Sequence, residues 1–189
     1  MENVKRVRNS GIIVFGAPGA GTSTVGYTLA KELGYSHIET DDISGKMINK
    51  PPFRVSYTTE ERISRLNTVI DRCGNFVISG SMWDWGDSFV PLFTLAVFIT
   101  VSTSMRIQRL EQREKARYGK RISYGGDMYD RHKAFIEWAK AYDTDNPDRS
   151  LKLHEKWIDT LPCPVLRTSG TFPVADIVGQ ILGFVVKQI

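Results

Sequence analysis

One stretch of this chain, Gly16-Ala-Pro-Gly-Ala-Gly-Thr-Ser23, restricts the folds open to it more than any other. Ahead of it, Gly11-Ile-Ile-Val-Phe15 is an unbroken β-favouring apolar run, as expected of a central parallel strand covered on both faces. Behind it, Val25, Leu29 and Leu33 recur every four residues, which predicts a helix stopped by Gly34. A strand, a glycine turn and a helix therefore follow one another without a spacer.

The same alternation continues along the chain. Tyr35–Thr40, Asn75–Ser79, Leu95–Val101 and Pro164–Thr168 read as further strands. Helical patterns run over Thr59–Cys73, Thr103–Ala116, about Met128–Tyr142, Leu151–Leu161 and Pro173–Val186. Strands alternating with helices predict an α/β three-layer sandwich with a five-stranded parallel sheet. At 189 residues the chain is long enough for one full core and too short for two domains. Residues 1–10 are expected to be a tail and residues 11–189 one domain. Asp143–Asp148 is short enough to be a turn with a helix N-cap signal.

Several classes of protein are excluded at this level. The longest nearly unbroken apolar run, Leu92–Val101, falls well short of the roughly twenty residues of a bilayer-crossing helix. The charged start of the chain lacks the apolar stretch of a secretory signal, so a cytoplasmic location is expected. Cys73 and Cys163 stand alone and indicate neither a disulfide framework nor a zinc site; buried free thiols are expected. The net charge of +4 is local, because Met105–Lys133 holds nine lysines and arginines against four acids. A polyphosphate pocket explains that cluster more economically than a nucleic-acid face.

The glycine stretch matches the spacing G-x-x-x-x-G-K-[ST] at Gly16, Gly21 and Ser23, with Thr22 where lysine belongs. Gly16, Gly19, Ala20, Gly21, Thr22, Ser23 and Thr24 are expected to turn backbone N–H groups and a helix N-terminus onto phosphate oxygens. The Ser23 hydroxyl is the expected ligand of Mg²⁺. What is lost is the cation that reaches the β- and γ-phosphates, so another must replace it if a phosphoryl group is transferred.

A loop of the form G-x-P-G-x-G-T-[ST]-T resembles the adenylate-kinase-related branch of the P-loop kinases, where archaeal-type cytidylate kinases also carry threonine at the lysine position. The resemblance extends to an acidic residue after the second strand, to Arg109-Leu-Glu-Gln-Arg113 and to the region Pro164–Leu182. More narrowly, Gly80–Asp87 and Tyr124–Met128 resemble a little-characterised bacterial group of such proteins. It implies a P-loop nucleotide-kinase fold, ATP and Mg²⁺ as cofactors, and a small-molecule phosphoryl acceptor. It also implies that Arg113 and its neighbours neutralise the transferred phosphoryl group, that Arg109 and the loop Ser169–Phe172 border the adenine, and that a basic lid covers about residues 113–127. The chain departs from nucleoside-monophosphate kinases at Gly80-Ser-Met-Trp83, which lacks the usual Gly-Phe-Pro-Arg arginine. A nucleoside or another small hydroxyl compound is therefore as fitting an acceptor as a monophosphate, although Arg54 and Arg62 remain available for a phosphate.

Other candidates follow from the residues themselves. Asp41 and Asp42 sit at the end of the second strand, where ligands gather in open α/β sheets; either is placed to orient an acceptor hydroxyl or a metal-bound water. A pair of this kind also caps turns and helices. Arg109, Arg113 and Arg117 recur every four residues and share a helix face, which suits a phosphate chain or a plain solvated surface. Lys120-Arg121 before Gly125-Gly126 suits a closing lid. Trp83 and Trp85 would wall a pocket if the chain there is extended, and core positions are the commoner use of tryptophan. His37, His132 and His154 show no ligand spacing and receive no role. The leading expectation is an ATP- and Mg²⁺-dependent kinase; a nucleotide-binding regulator without transfer chemistry is the alternative, and a nucleic-acid-associated NTPase lacks a recognition motif.

Overall fold

The computed structural model describes residues 10–48, 54–144 and 146–186. Its centre is β1 (Gly11–Gly16), all six residues of which are buried. β1 pairs in parallel with β5 (Phe76–Ser79) on one side and β6 (Phe93–Thr100) on the other. β2 (Ser36–Glu39) and β7 (Val165–Ser169) complete a five-stranded sheet in the order β2-β5-β1-β6-β7.

Alternation along β1 sorts the core into two layers. Ile13 and Phe15 face Ile78, Phe98 and the helices α3 (Thr59–Ile70) and α6 (Leu151–Ile158), through Leu66 and Trp157. Ile12 and Val14 face α1 (Thr22–Leu33) and α7 (Val174–Val186), through Leu29 and Ile181. Each such fully buried side chain contributes about 1.5–3 kcal/mol relative to exposure. Helices on both faces of the sheet complete the three-layer sandwich. α4 (Thr103–Tyr118) and α5 (Tyr129–Lys140) add a smaller cluster around Leu110, Ile136 and Ala139.

Helix ends follow local chemistry. Gly34 closes α1 in the left-handed conformation at φ 67°. Thr58 and Glu61 exchange hydrogen bonds across the first turn of α3, a capping box. α6 is capped by Ser150, whose Oγ accepts from Leu153 N. Sequence periodicity does not foresee α2 (Thr40–Ser44) or the antiparallel pair β3 (Gly45–Met47) and β4 (Arg54–Ser56), which are too short to show a period.

Residues 81–92 form turns and a 3-10 segment, not an extended strand. Trp85 is 7% exposed in the main core, Trp83 packs against it, and neither lines the cavity past the strand ends described below. Asp84, at φ 76°, supplies the left-handed step that reverses the chain there. Neither cysteine is in a disulfide, and both are only partly buried, packed at the rim of the same core. No described helix is long and apolar enough to cross a membrane.

Candidate functional site

Register brings the site together. Val14 on β1 lies beside Ser79 on β5, which lies beside Glu39 on β2, so β2 and β5 end in line and β1 runs on two residues to Gly16. Past those ends opens a cavity of about 390 Å³, lined by the glycine loop, by Glu39–Asp41, by Gly80 and Ser81, and by α4 and α5. Carboxyl ends of parallel strands are where open α/β sheets bind ligands.

The loop is shaped to receive an anion. Ala20 N closes a turn onto Ala17 O at 3.0 Å, and Gly19 and Gly21 adopt φ 83° and 99°. The N-cap of α1 is Gly21, which has no side chain to cap it, so the first N–H groups of the helix suit a ligand. A Cβ on Gly21 would enter open space, where the cradle is empty of protein atoms. Gly16, Gly19, Thr22, Ser23 and Thr24 line the cavity with Gly21. Ala20 is buried behind them at 2% exposure.

Ser23 Oγ donates to Glu39 Oε2 at 3.2 Å. The other carboxylate oxygen, Oε1, is buried without a hydrogen-bond partner. His37 Nε2 stands 3.5 Å from it. That nitrogen serves Ser79 Oγ at 2.9 Å instead, and because Ser79 spends its own proton on Thr22 O, His37 is the donor. Burial first, and then the charges of Asp41 and Asp42, raise the Glu39 pKa to about 7 against the opposing bond from Ser23. A hydroxyl and an under-used carboxylate oxygen at the mouth of a phosphate cradle fit a hard cation such as Mg²⁺. Among the described residues no three His, Cys, Asp or Glu side chains gather into a metal cage, and Mg²⁺ held partly by substrate phosphates does not require one.

The raised Glu39 pKa has a definite linkage. Between about pH 4.5 and 7 the native carboxyl holds a proton that the unfolded chain has released, so its contribution to stability falls as pH rises through that window. Burial lowers the pKa of His37 and His154, whose contributions fall in the opposite direction, as pH drops below about 6.5. Comparison with Glu39→Gln isolates the carboxyl. Melting curves without divalent ions should show the stability of wild type relative to the variant declining from pH 5 to 7 and level above it; a constant difference would refute the assignment.

The expected charged residues divide. Asp41 lines the cavity, whereas Asp42 does not, and both lie in the first turn of α2. Arg109 and Arg113 line it from α4. Arg109 Nη2 donates to Gly170 O at 2.9 Å, and among the described residues Arg113 reaches only Glu114, at 3.1 Å. Arg117 is exposed, beside the Tyr118 ring and away from the cavity. Lys120 and Arg121 form a 3-10 turn, Arg121 is paired to Asp127 at 2.7 Å, and neither lines the cavity. Ser169 and Thr171 border a neighbouring cavity of about 460 Å³. Arg62 donates to Tyr57 O and lies off the cavity; the Arg54 side chain lies outside the described residues.

Besides Glu39 and Ser81, three more lining residues escape sequence reasoning. Phe135 and Trp138 stack at 6.0 Å on α5 and form an aromatic wall. Arg149 lies with its guanidinium 5.4 Å from the Trp138 ring centroid and has no carboxylate within ion-pair distance among the described residues. Burial lowers its pKa, offset by the charge of Asp41. The i, i+3 spacing of Phe135 and Trp138 was the available signal for the wall; for Arg149, beyond a turn, there was none.

The strand order, the glycine turn after the central strand and the cavity above it define the fold of the small P-loop kinases. The chain belongs to the AAA domain family, whose pattern it matches over residues 12–137. It is 35% identical to the uncharacterized protein YqaC of Bacillus subtilis (strain 168) over 92% of this chain and 96% of that one. In fold it is similar to shikimate kinase from Acinetobacter baumannii, solved in complex with shikimate, with a TM-score of 0.57 and 18% identity over 95% of this chain and 94% of that one. Shikimate kinase from Bacteroides thetaiotaomicron is similar at a TM-score of 0.51 and 16% identity over 93% and 98% of the two chains.

Proposed function

We propose that this protein is an ATP- and Mg²⁺-dependent phosphotransferase acting on a hydroxyl of a small molecule. The observation that carries the reading is the junction of an open phosphate cradle with Ser23, Glu39 and Asp41 in one cavity. Mg²⁺, when bound, supplies charge neutralisation at the β- and γ-phosphates; Ser23 and Glu39 would hold it, the latter after losing its proton. Asp41 accepts the proton of the acceptor hydroxyl as that oxygen bonds to the γ-phosphorus and the bond to the β-bridging oxygen breaks, releasing ADP. Arg113 takes the electrostatic part left open by Thr22, with Arg109 holding the nucleotide side.

The fold likeness to shikimate kinases agrees with a non-nucleotide acceptor, as does the absence of an arginine at Gly80–Trp83. Thr22 favours the second reading, a nucleotide-binding protein without transfer. The test is calorimetric titration with a non-hydrolysable ATP analogue and Mg²⁺, followed by an acceptor screen over nucleosides, nucleoside monophosphates and polyhydroxy compounds. Gly21→Val, which forces a β-branched residue to φ 99° and projects it into the cradle, should weaken the analogue more than tenfold. Binding without turnover on any acceptor would favour the second reading. No binding by folded wild type would end both.

A further inference from the structure

A buried line of three side chains reaches the cavity from behind and has no part in the phosphate cradle. Ser81 Oγ lies 2.8 Å from His154 Nε2, and His154 Nδ1 lies 2.7 Å from the Tyr142 hydroxyl. All three residues are at most 3% exposed, yet Ser81 also lines the cavity.

Hydrogen-bond accounting gives this line a direction. Tyr142 has no acceptor other than His154 Nδ1 among the described residues, so its buried proton goes there. Burial raises the phenol's pKa and lowers that of the imidazole to about 3, so both groups stay neutral. With Nδ1 accepting, the imidazole proton is on Nε2 and is donated to Ser81 Oγ. The remaining lone pair of that oxygen receives Trp83 N–H at 3.3 Å. Ser81 has thereby spent both acceptor positions, and its own proton has no acceptor among the described residues. The cavity is the side left to it.

The same cavity holds Arg149, a cation without an ionic partner among the described residues, and Asp41, a carboxylate suited to a hydroxyl. A ligand matching this set carries an oxyanion for the two donors and a hydroxyl for the acid.

We propose that Ser81 and Arg149 form an oxyanion subsite for the phosphoryl acceptor, so that the acceptor is a hydroxyl compound bearing a carboxylate or a phosphate, with His154 and Tyr142 as positioning residues that turn the Ser81 proton into the cavity. This rests on the phosphotransferase reading above. It requires nothing of the acceptor's carbon skeleton, and it distinguishes hydroxy acids and phosphate esters from neutral polyols and nucleosides.

Two measurements test it. Nitrogen-15 spectra of protein labelled in histidine should show His154 protonated on Nε2; an Nδ1-protonated ring would overturn the proposal. Calorimetry on protein saturated with the ATP analogue should then compare matched three- to seven-carbon sets of hydroxy acid, phosphate ester and neutral polyol. At least one anion should bind tenfold or more tightly than its neutral partner, and whether it is the acid or the ester identifies the oxyanion. Arg149→Met should abolish that preference. Ser81→Ala and Tyr142→Phe should each reduce it about tenfold, the latter with a switch of the His154 tautomer, while analogue binding is retained. A merely structural role would lower the melting temperature of Tyr142→Phe and leave the anion-to-polyol ratio untouched. Equal binding of anions and polyols, or no anion bound by protein that holds the analogue, would sink the subsite alone. Failure to bind the analogue would remove the phosphotransferase reading and the subsite together.

Discussion

Arg113→Met is expected to lower turnover about a thousandfold while changing the affinity for a non-hydrolysable ATP analogue only a few-fold. The magnitude is that of removing an arginine that meets the transferring phosphoryl group in P-loop enzymes, roughly 10³ or more in rate. The choice of Arg113 follows from what the other lining cations already do. Arg109 is tied to the Gly170 carbonyl, and Arg149 lies against Trp138. Among the described residues Arg113 holds only its neighbour Glu114, and its side chain is 57% exposed. Such a surface pair is worth about 0–1 kcal/mol, so it yields readily to a polyphosphate. With Thr22 in the lysine position, no side chain of the loop itself offers a charge. Single-turnover kinetics with an acceptor found by the screen separates the steps: Arg113→Met should act on the chemical step, and Arg109→Met on nucleotide affinity. Unchanged turnover in Arg113→Met with loss in Arg149→Met would transfer the role to Arg149.

The sheet was legible because each central strand is a continuous apolar run, a pattern that only burial on both faces demands. The glycine loop was legible because its spacing encodes a backbone shape. The arginine comb on α4 was legible in part. Its period puts Arg109 and Arg113 on the cavity side, but Arg117 stands about 12 Å beyond Arg109 along the axis, past the cavity's edge. Glu39 was passed over in favour of Asp41 and Asp42, although alternation in β2 sets Glu39 on the same side as His37, toward Ser79 and Thr22. Register with β5, which a single strand does not reveal, brings it to the hydrogen bond with Ser23. The acceptor end was illegible for a similar reason: Ser81, Tyr142, Arg149 and His154 are scattered over a long stretch of sequence, and only the packing of α6 under the sheet's end joins them.

Arg106 bears on stability as Arg113 bears on rate, and Arg106→Leu should destabilise the fold by about 3 kcal/mol, the lower end for breaking a buried ionic group. Its side chain is fully buried. The guanidinium donates to Pro18 O at 3.3 Å in the glycine loop, to Ala139 O at 3.1 Å at the end of α5, and to Val101 O at 3.2 Å ahead of α4. It is neutralised by Asp143 at 2.7 Å, whose side chain is 39% exposed and also accepts from Thr103 Oγ1. Loss of the fork leaves three carbonyls short of a donor, while Asp143 regains water, which keeps the cost from rising higher. For a chain of this length the midpoint of thermal unfolding should fall by roughly 10 °C. Arg106→Lys retains one charge but cannot span three carbonyls and a carboxylate, so it should recover only part of the loss. Because Pro18 belongs to the cradle, both variants should also weaken the ATP analogue at temperatures where they remain folded. A variant that melts lower yet binds the analogue as wild type does would confine Arg106 to the packing of α4 on α5.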